Sequence, residues 1–159
     1  MKILLLGKNG QVGHELQRTL LALGEVHAFG RQDADLEDLD ALGRLLDAQT
    51  PDLIVNAAAY TAVDKAETHQ DAARRINAEA VALLARYAQD KRARLVHYST
   101  DYVFDGTKAT PYDVDDQTNP QSVYGATKLA GESAIQESGC NALILRTSWV
   151  FSTHGGNFI

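Results

Sequence analysis

Cysteine, tryptophan and proline are scarce in this chain: one, one and three among 159 residues. Cys140 alone can form no disulfide within the chain and cannot build a thiolate metal centre. The five histidines (His14, His27, His69, His97 and His154) show no ligand spacing, so each reads as a surface or packing residue, and no metal site is expected. Lys/Arg runs are missing, and the net charge of −6 argues against a nucleic-acid surface. No apolar stretch approaches the length of a membrane span. The run Ile3–Leu6 is too short for a signal peptide and leads into glycines, not a small-residue cleavage site. What remains is a globular protein, with 45% apolar and 23% charged residues, for which a cytoplasmic location is the simplest expectation. The length fits one domain able to bury a core.

Apolar runs and apolar periodicities alternate along the chain. Lys2–Leu6, Glu25–Phe29, Asp52–Asn56, Arg94–Ser99 and Ala142–Thr147 read as strands, the first and third apolar enough to be buried on both faces. Between them, helical spacing runs from Val12 to about Leu23, from Glu37 or Asp38 to Pro51, along Ile76–Lys91, and from Tyr124 to about Ser138. Ser122 is the expected N-cap of the last helix and Gly139 its stop. Residues 57–70 and 100–119 read as loops, and the tail Gly155-Gly156-Asn157 completes no element. Strands alternating with helices imply βαβ units, hence one α/β domain with a doubly wound parallel sheet of Rossmann-like type. Such a sheet binds ligands beyond the carboxyl ends of its strands.

Gly7, Gly10 and Gly13 fall between the first strand and the first helix. There glycines allow a tight turn and close approach of backbone to a pyrophosphate, while the helix start supplies N–H groups and partial positive charge. The spacing is G-x-x-G-x-x-G. At the end of the second strand stand Gly30 and Arg31, where an acid would favour NAD and a cation the 2′-phosphate of NADP. NADPH is therefore expected, with NADH as the alternative because Asp33 and Asp35 are close by.

Two tyrosine–lysine pairs have the i, i+4 spacing that puts both side chains on one helix face: Tyr87 with Lys91, and Tyr124 with Lys128. An ammonium near a phenol favours phenolate, whereas burial opposes it, and a phenol so tuned can exchange a proton with a carbonyl oxygen. Tyr87–Lys91 ends the helix feeding the amino end of strand four, the wrong edge of the sheet. Tyr124–Lys128 follows the loop leaving that strand's carboxyl end. Ser99, Thr100 and Asp101 end strand four at the same edge, and Asn56-Ala57-Ala58-Ala59 ends strand three there. Turn and capping chemistry is the bland alternative for the hydroxyl and carboxyl groups.

The glycine loop, Asn56–Ala59, Ser99-Thr100-Asp101-Tyr102-Val103-Phe104-Asp105-Gly106 and Tyr124-Gly125-Ala126-Thr127-Lys128-Leu129-Ala130-Gly131-Glu132 resemble the extended short-chain dehydrogenase/reductases, and within them the dTDP-4-dehydrorhamnose reductase family. The resemblance implies an NADPH-dependent reductase of the 4-keto group of dTDP-4-dehydro-6-deoxy-L-mannose, in dTDP-rhamnose and cell-surface polysaccharide synthesis. It implies that Tyr124 is the acid, that Lys128 holds the nicotinamide ribose, and that Thr100 bonds near the reacting oxygen. Asp101 and Trp149 would touch the sugar; for Trp149 a packed core aromatic is the alternative. Gly10, Gln11 and Val12 would meet the pyrophosphate, Asp35 and Leu36 the adenine side, and Ala59, Tyr60, Thr61 and Tyr98 the cofactor walls. It further implies homodimers and, in some members, Mg2+, through contacts mostly outside this chain, which matches only the cofactor-binding half. Dehydratases of the superfamily have Thr-Asp-Glu where this chain has Thr100-Asp101-Tyr102; the missing carboxyl favours simple reduction. A non-catalytic NADP-binding regulatory subunit, or another nucleotide-sugar reductase or epimerase, remains the alternative.

Overall fold

In the computed structural model, which describes residues 1–156, five parallel strands form one sheet in the order β2-β1-β3-β4-β5. They are β1 (Lys2–Leu6), β2 (Glu25–Phe29), β3 (Leu53–Asn56), β4 (Arg94–Thr100) and β5 (Asn141–Thr147). β1 is an interior strand: Ile3 to Leu6 pair with Val26 to Phe29 on one side and with Leu53 to Asn56 on the other. Such a strand has no solvated face, which is why Ile3, Leu4, Leu5 and Leu6 are all buried. The alternation of side chains sends Leu4, Leu6, Ile54 and Leu95 into one core and Ile3, Leu5, Leu53 and Val55 into the other. Full burial of one such side chain contributes roughly 1.5–3 kcal/mol.

The helices fill both faces. α1 (Gln11–Thr19) continues into a tight 3₁₀ turn, Leu20–Ala22. α2 (Leu39–Gln49) begins where the Asp38 carboxylate accepts the Ala41 N–H at 2.9 Å. α6 (Val123–Ser138) starts at the Ser122 hydroxyl, which accepts the Gly125 N–H, and ends at Gly139 in the left-handed region. Both caps are those the sequence predicts, and the doubly wound α/β expectation holds for the described residues. Asn157 of the tail lies outside them.

Three stretches differ from the sequence expectation; in the shortest, the loop expected over 100–119 opens with Thr100 still in β4 and a 3₁₀ turn at Asp101–Val103. The loop after β3 contains a one-turn helix, α3 (Val63–Ala66), too short to show a period. The helix expected over 76–91 starts earlier: α4 (Gln70–Arg74) passes through a π-helical segment (Arg75–Glu79) into α5 (Ala80–Lys91). A wider π turn re-aims side chains, and here it carries buried Asn77. The Asn77 amide accepts the Tyr60 N–H at 2.9 Å and donates to the Tyr60 carbonyl at 3.1 Å and to the Thr127 hydroxyl at 3.2 Å. One side chain thus ties the loop after β3 to α6. No described helix is long and apolar enough to cross a membrane.

Candidate cofactor and reaction site

The order of strands reverses between β1 and β3, which opens a crevice at their carboxyl ends. Two adjoining cavities of about 410 and 530 Å3 occupy it, and both are lined by Asn9, Gly10, Ala57, Ala58, Ala59 and Thr61. The first extends over Gly7, Gly30, Arg31, Asp35, Leu36 and Tyr60. The second extends over Gln11, Val12, Tyr98, Thr100, Asp101, Tyr124, Lys128 and Trp149. One groove therefore brings together every residue that the sequence assigned to cofactor, substrate or proton transfer except Gly13, which lines neither cavity.

Gly13 has a packing position instead. A Cβ there would lie 2.0 Å from the Gly7 carbonyl oxygen, so only glycine lets α1 start this close to the turn. Gly7 itself has φ +88° and sits against the Ala57–Ala58 backbone, the positive-φ geometry that favours glycine. The N-cap of α1, Gly10, offers no side-chain acceptor, an arrangement that a bound anion completes. These close approaches pack the turn against the end of β3 and the start of α1, and Gly10, which lines both cavities, leaves bare backbone there of a kind that suits a dinucleotide pyrophosphate.

At the end of β2, Arg31 is 72% exposed and stands 3.5 Å from both Asp35 and Glu37. Lys8 meets Asp33 at 2.6 Å, and Asp33 also accepts the Gly30 N–H at 3.0 Å. The hydrogen bond from Lys8, followed by that from Gly30, holds the Asp33 carboxyl below its usual pKa. Asp33 is thus occupied by local partners, while Arg31 faces the cavity between two acids.

The second cavity combines residues from the ends of β4 and β5 and the first turns of α6. Burial raises the Tyr124 pKa; a hydrogen bond with Thr100 acts the other way, and Asp101 and Tyr102 add to the rise. Asp101 accepts hydrogen bonds from Thr100 at 3.2 Å and from Ser148 at 2.6 Å, which joins the ends of β4 and β5. The rings of Tyr102 and Tyr124 meet edge to face, with centroids 5.6 Å apart. Trp149 is 71% exposed, with φ +51°, so it is not the packed core aromatic considered as its alternative.

Lys128 departs from the simple expectation of an ammonium beside the phenol. It is 1% exposed, and its Nζ donates to the Tyr98 carbonyl at 2.6 Å and lies 3.3 Å from His97 Nε2. Burial lowers its pKa from 10.5 to about 8, against an opposing effect of Glu132. The phenol's shift is set chiefly by burial, opposed by Thr100, with Asp101 and Tyr102 adding to the rise. His97 is a packing residue and not a surface one: it lies buried beneath the groove, against Asn56 and Lys128. Asn9 and Ser148 also line the groove, and Asn77 braces it. The positions of Ser148 and Asn77 depend on contacts across the fold, whereas Asn9 lies within the glycine loop, a local signal that points to it.

The second pair, Tyr87 and Lys91, sits away from the crevice. The Tyr87 hydroxyl donates to the Leu46 carbonyl at 2.9 Å, near the end of α2. Among the described residues, no group of three or more His, Cys, Asp or Glu side chains could hold a metal ion.

The crevice, the glycine turn and the tyrosine–lysine face define a nucleotide-binding α/β domain of the short-chain dehydrogenase/reductase kind. The chain belongs to the RmlD substrate binding domain family, which it matches over residues 1–159. It is 52% identical over 159 residues to a dTDP-4-dehydrorhamnose reductase of Burkholderia thailandensis, covering 100% of this chain and 53% of that protein. Among solved structures it resembles a dTDP-4-dehydrorhamnose reductase from Clostridium acetobutylicum, with TM-score 0.94 and 42% identity, over 99% of this chain and 56% of that one. The corresponding reductase from Bacillus anthracis, solved in complex with NADP, gives TM-score 0.93 and 35% identity, over 99% and 56%. The chain spans about half the length of the curated relatives it matches.

Proposed function

We propose that this chain is the cofactor-binding and proton-donating half of an NADPH-dependent reductase that converts dTDP-4-dehydro-6-deoxy-L-mannose to dTDP-L-rhamnose. The observation that carries this reading is the continuity of the groove: the glycine cradle and Arg31 line one cavity, Tyr124 and Thr100 the next, with six lining residues in common. A nicotinamide dinucleotide fits that course. Gly10, Gln11 and Val12 would hold the pyrophosphate, Asp35 and Leu36 the adenine side, and Arg31 the 2′-phosphate. Ala59, Tyr60, Thr61 and Tyr98 would form the walls, and Lys128 would hold the nicotinamide ribose. When bound, the cofactor supplies hydride to the keto carbon.

The chain's own contribution is the proton. Tyr124, its pKa raised by burial, keeps its hydroxyl protonated at neutral pH and gives that proton to the C4 oxygen, while Thr100 bonds near the same oxygen. Asp101 and Trp149 would contact the sugar. A cytoplasmic location and a homodimer of the complete protein belong to the same reading. In the complete protein, Tyr124→Phe should bind NADPH but lose at least about 100-fold in sugar-dependent NADPH oxidation, the lower range for a positioned acid. Near-wild-type turnover would remove Tyr124 as the acid. Cofactor binding by wild type without any sugar-dependent turnover would instead favour the non-catalytic, NADP-binding role.

A further inference from the structure

Thr100 has a single hydroxyl proton and more than one group to give it to. The residue is 5% exposed, at the end of β4. Its Oγ1 accepts the Tyr102 N–H at 3.2 Å and donates to Asp101 Oδ1 at 3.2 Å. A carboxylate only accepts, so that donation uses the proton. The Tyr124 phenol is the other claimant: burial raises its pKa, and a hydrogen bond with Thr100 acts against that rise. While the Thr100 proton points to Asp101, it cannot serve a phenolate at Tyr124. The balance depends on how well Asp101 is otherwise supplied. Its second oxygen, Oδ2, accepts the Ser148 hydroxyl at 2.6 Å. Ser148 is held there by β5, whose Thr147 pairs with Thr100, and by the Thr147 hydroxyl, which donates to the Ser99 carbonyl at 3.3 Å.

We propose that Ser148 is a positioning residue for the proton donor: by holding Asp101 across the strand ends, its hydroxyl leaves the Thr100 proton free to turn from Asp101 to the Tyr124 oxygen as that oxygen gives up its own proton. The sugar carbonyl as receiver of the Tyr124 proton rests on the reductase reading; the competition for the Thr100 proton does not. No covalent bond of Thr100 is made or broken. The Tyr124 proton passes to the receiving oxygen, and the Thr100 O–H rotates to the phenolate left behind. Ser148 favours this in two ways. Its donation offsets the charge of Asp101, which works against the phenolate, and it keeps Asp101 supplied when Thr100 turns away. The other titratable groups around the phenol are common to wild type and Ser148 variants. Tyr102 meets its ring edge to face, with centroids 5.6 Å apart. Lys128, one turn along α6, donates to the Tyr98 carbonyl at 2.6 Å. Glu67, just after α3, accepts the Val123 N–H at 2.9 Å at the start of α6.

The test is fluorine-19 NMR of the complete protein carrying 3-fluorotyrosine, whose more acidic phenol titrates while the protein is still folded, with the Tyr124 signal identified by Tyr124→Phe. Ser148 lies at the exposed rim, so Ser148→Ala removes its hydroxyl without a packing loss. That variant should raise the proton affinity of Tyr124 roughly fivefold, the worth of one hydrogen bond, and lower kcat while KM for NADPH stays as in wild type. Ser148→Thr, which keeps the hydroxyl, should restore both. In an Asp101→Asn background, Ser148→Ala should leave the Tyr124 titration where it is, because the carboxylate it acts through is gone. A Tyr124 titration unmoved by Ser148→Ala would overturn the proposal, and so would an equal shift in the Asp101→Asn background. If Ser148→Ala does not fold, Asp101→Asn decides: it should lower the proton affinity of Tyr124, and an unchanged or higher value would overturn the proposal. The titrations need no turnover, so a protein that shows these shifts but reduces no sugar refutes the reductase reading and leaves this one standing.

Discussion

Lys128→Met should make the complete protein more stable at pH 7 while weakening its chemistry. A buried amine whose pKa falls from 10.5 to about 8 binds its proton less tightly in the folded state than in the unfolded one. A tenfold change in proton affinity is worth about 1.4 kcal/mol, so near neutral pH the native protein forgoes about 3 kcal/mol. Methionine keeps most of the stem's volume and removes that cost. The loss of the hydrogen bond to the Tyr98 carbonyl offsets about 1 kcal/mol of this, leaving a net gain of roughly 2 kcal/mol for the variant. The sign of the pH effect follows from the direction of the shift. The folded pKa is the lower one, so the unfolded state binds more protons between about pH 8 and 10.5, and wild-type stability should rise with pH across that window. The variant lacks that rise, so its advantage should shrink as pH approaches 10. Urea denaturation of both proteins at pH 7, 8 and 10 checks this, since groups common to both cancel in the difference. A variant less stable than wild type at pH 7, or an advantage independent of pH, would refute the reasoning.

Other perturbations probe separate parts of the groove. Arg31→Ala should weaken NADPH several-fold more than NADH, because the guanidinium lies in the groove beside Asp35 and Glu37; equal losses measured by fluorescence titration would take Arg31 out of the 2′-phosphate site. Asn77→Ala removes two hydrogen bonds to the Tyr60 backbone and one to Thr127. At about 1 kcal/mol each, it should cost about 3 kcal/mol in urea denaturation and also weaken cofactor binding, since Tyr60 lines the same cavity as Gly10 and Arg31. A loss below about 1 kcal/mol with unchanged cofactor affinity would show that the π segment does not brace the groove.

Much of this architecture is legible in the sequence because a parallel sheet leaves simple marks. β1 and β3 read as apolar runs since both faces are covered, and Asp38, Ser122 and Gly139 mark helix ends through local hydrogen bonds and backbone conformation. The edge rule separates Tyr124 from Tyr87 for the same reason: all strands run one way, so position in the chain fixes which end of the sheet a residue reaches. Where a residue's role depends on partners distant in sequence, the local pattern is silent. Asn77 reads as one polar position in a helix until the π turn brings it against Tyr60, 17 residues earlier, and Thr127, 50 later.

His97 makes the same point with chemical consequences. On β4 it occupies an inward position that an apolar residue could fill, and its spacing from other histidines offers no metal site. Its significance comes from Asn56, 41 residues before it, and Lys128, 31 residues after it. The tyrosine–lysine spacing alone suggests a cation working on a phenol. The folded chain instead gives the two groups different surroundings. Tyr124 is raised in pKa by burial and bonded to Thr100, while Lys128 is turned to Tyr98 and His97. Burial alone makes the phenol a weaker acid, and the Thr100 hydrogen bond opposes that rise. The spacing therefore locates the pair, and the buried network behind it determines what each member can do.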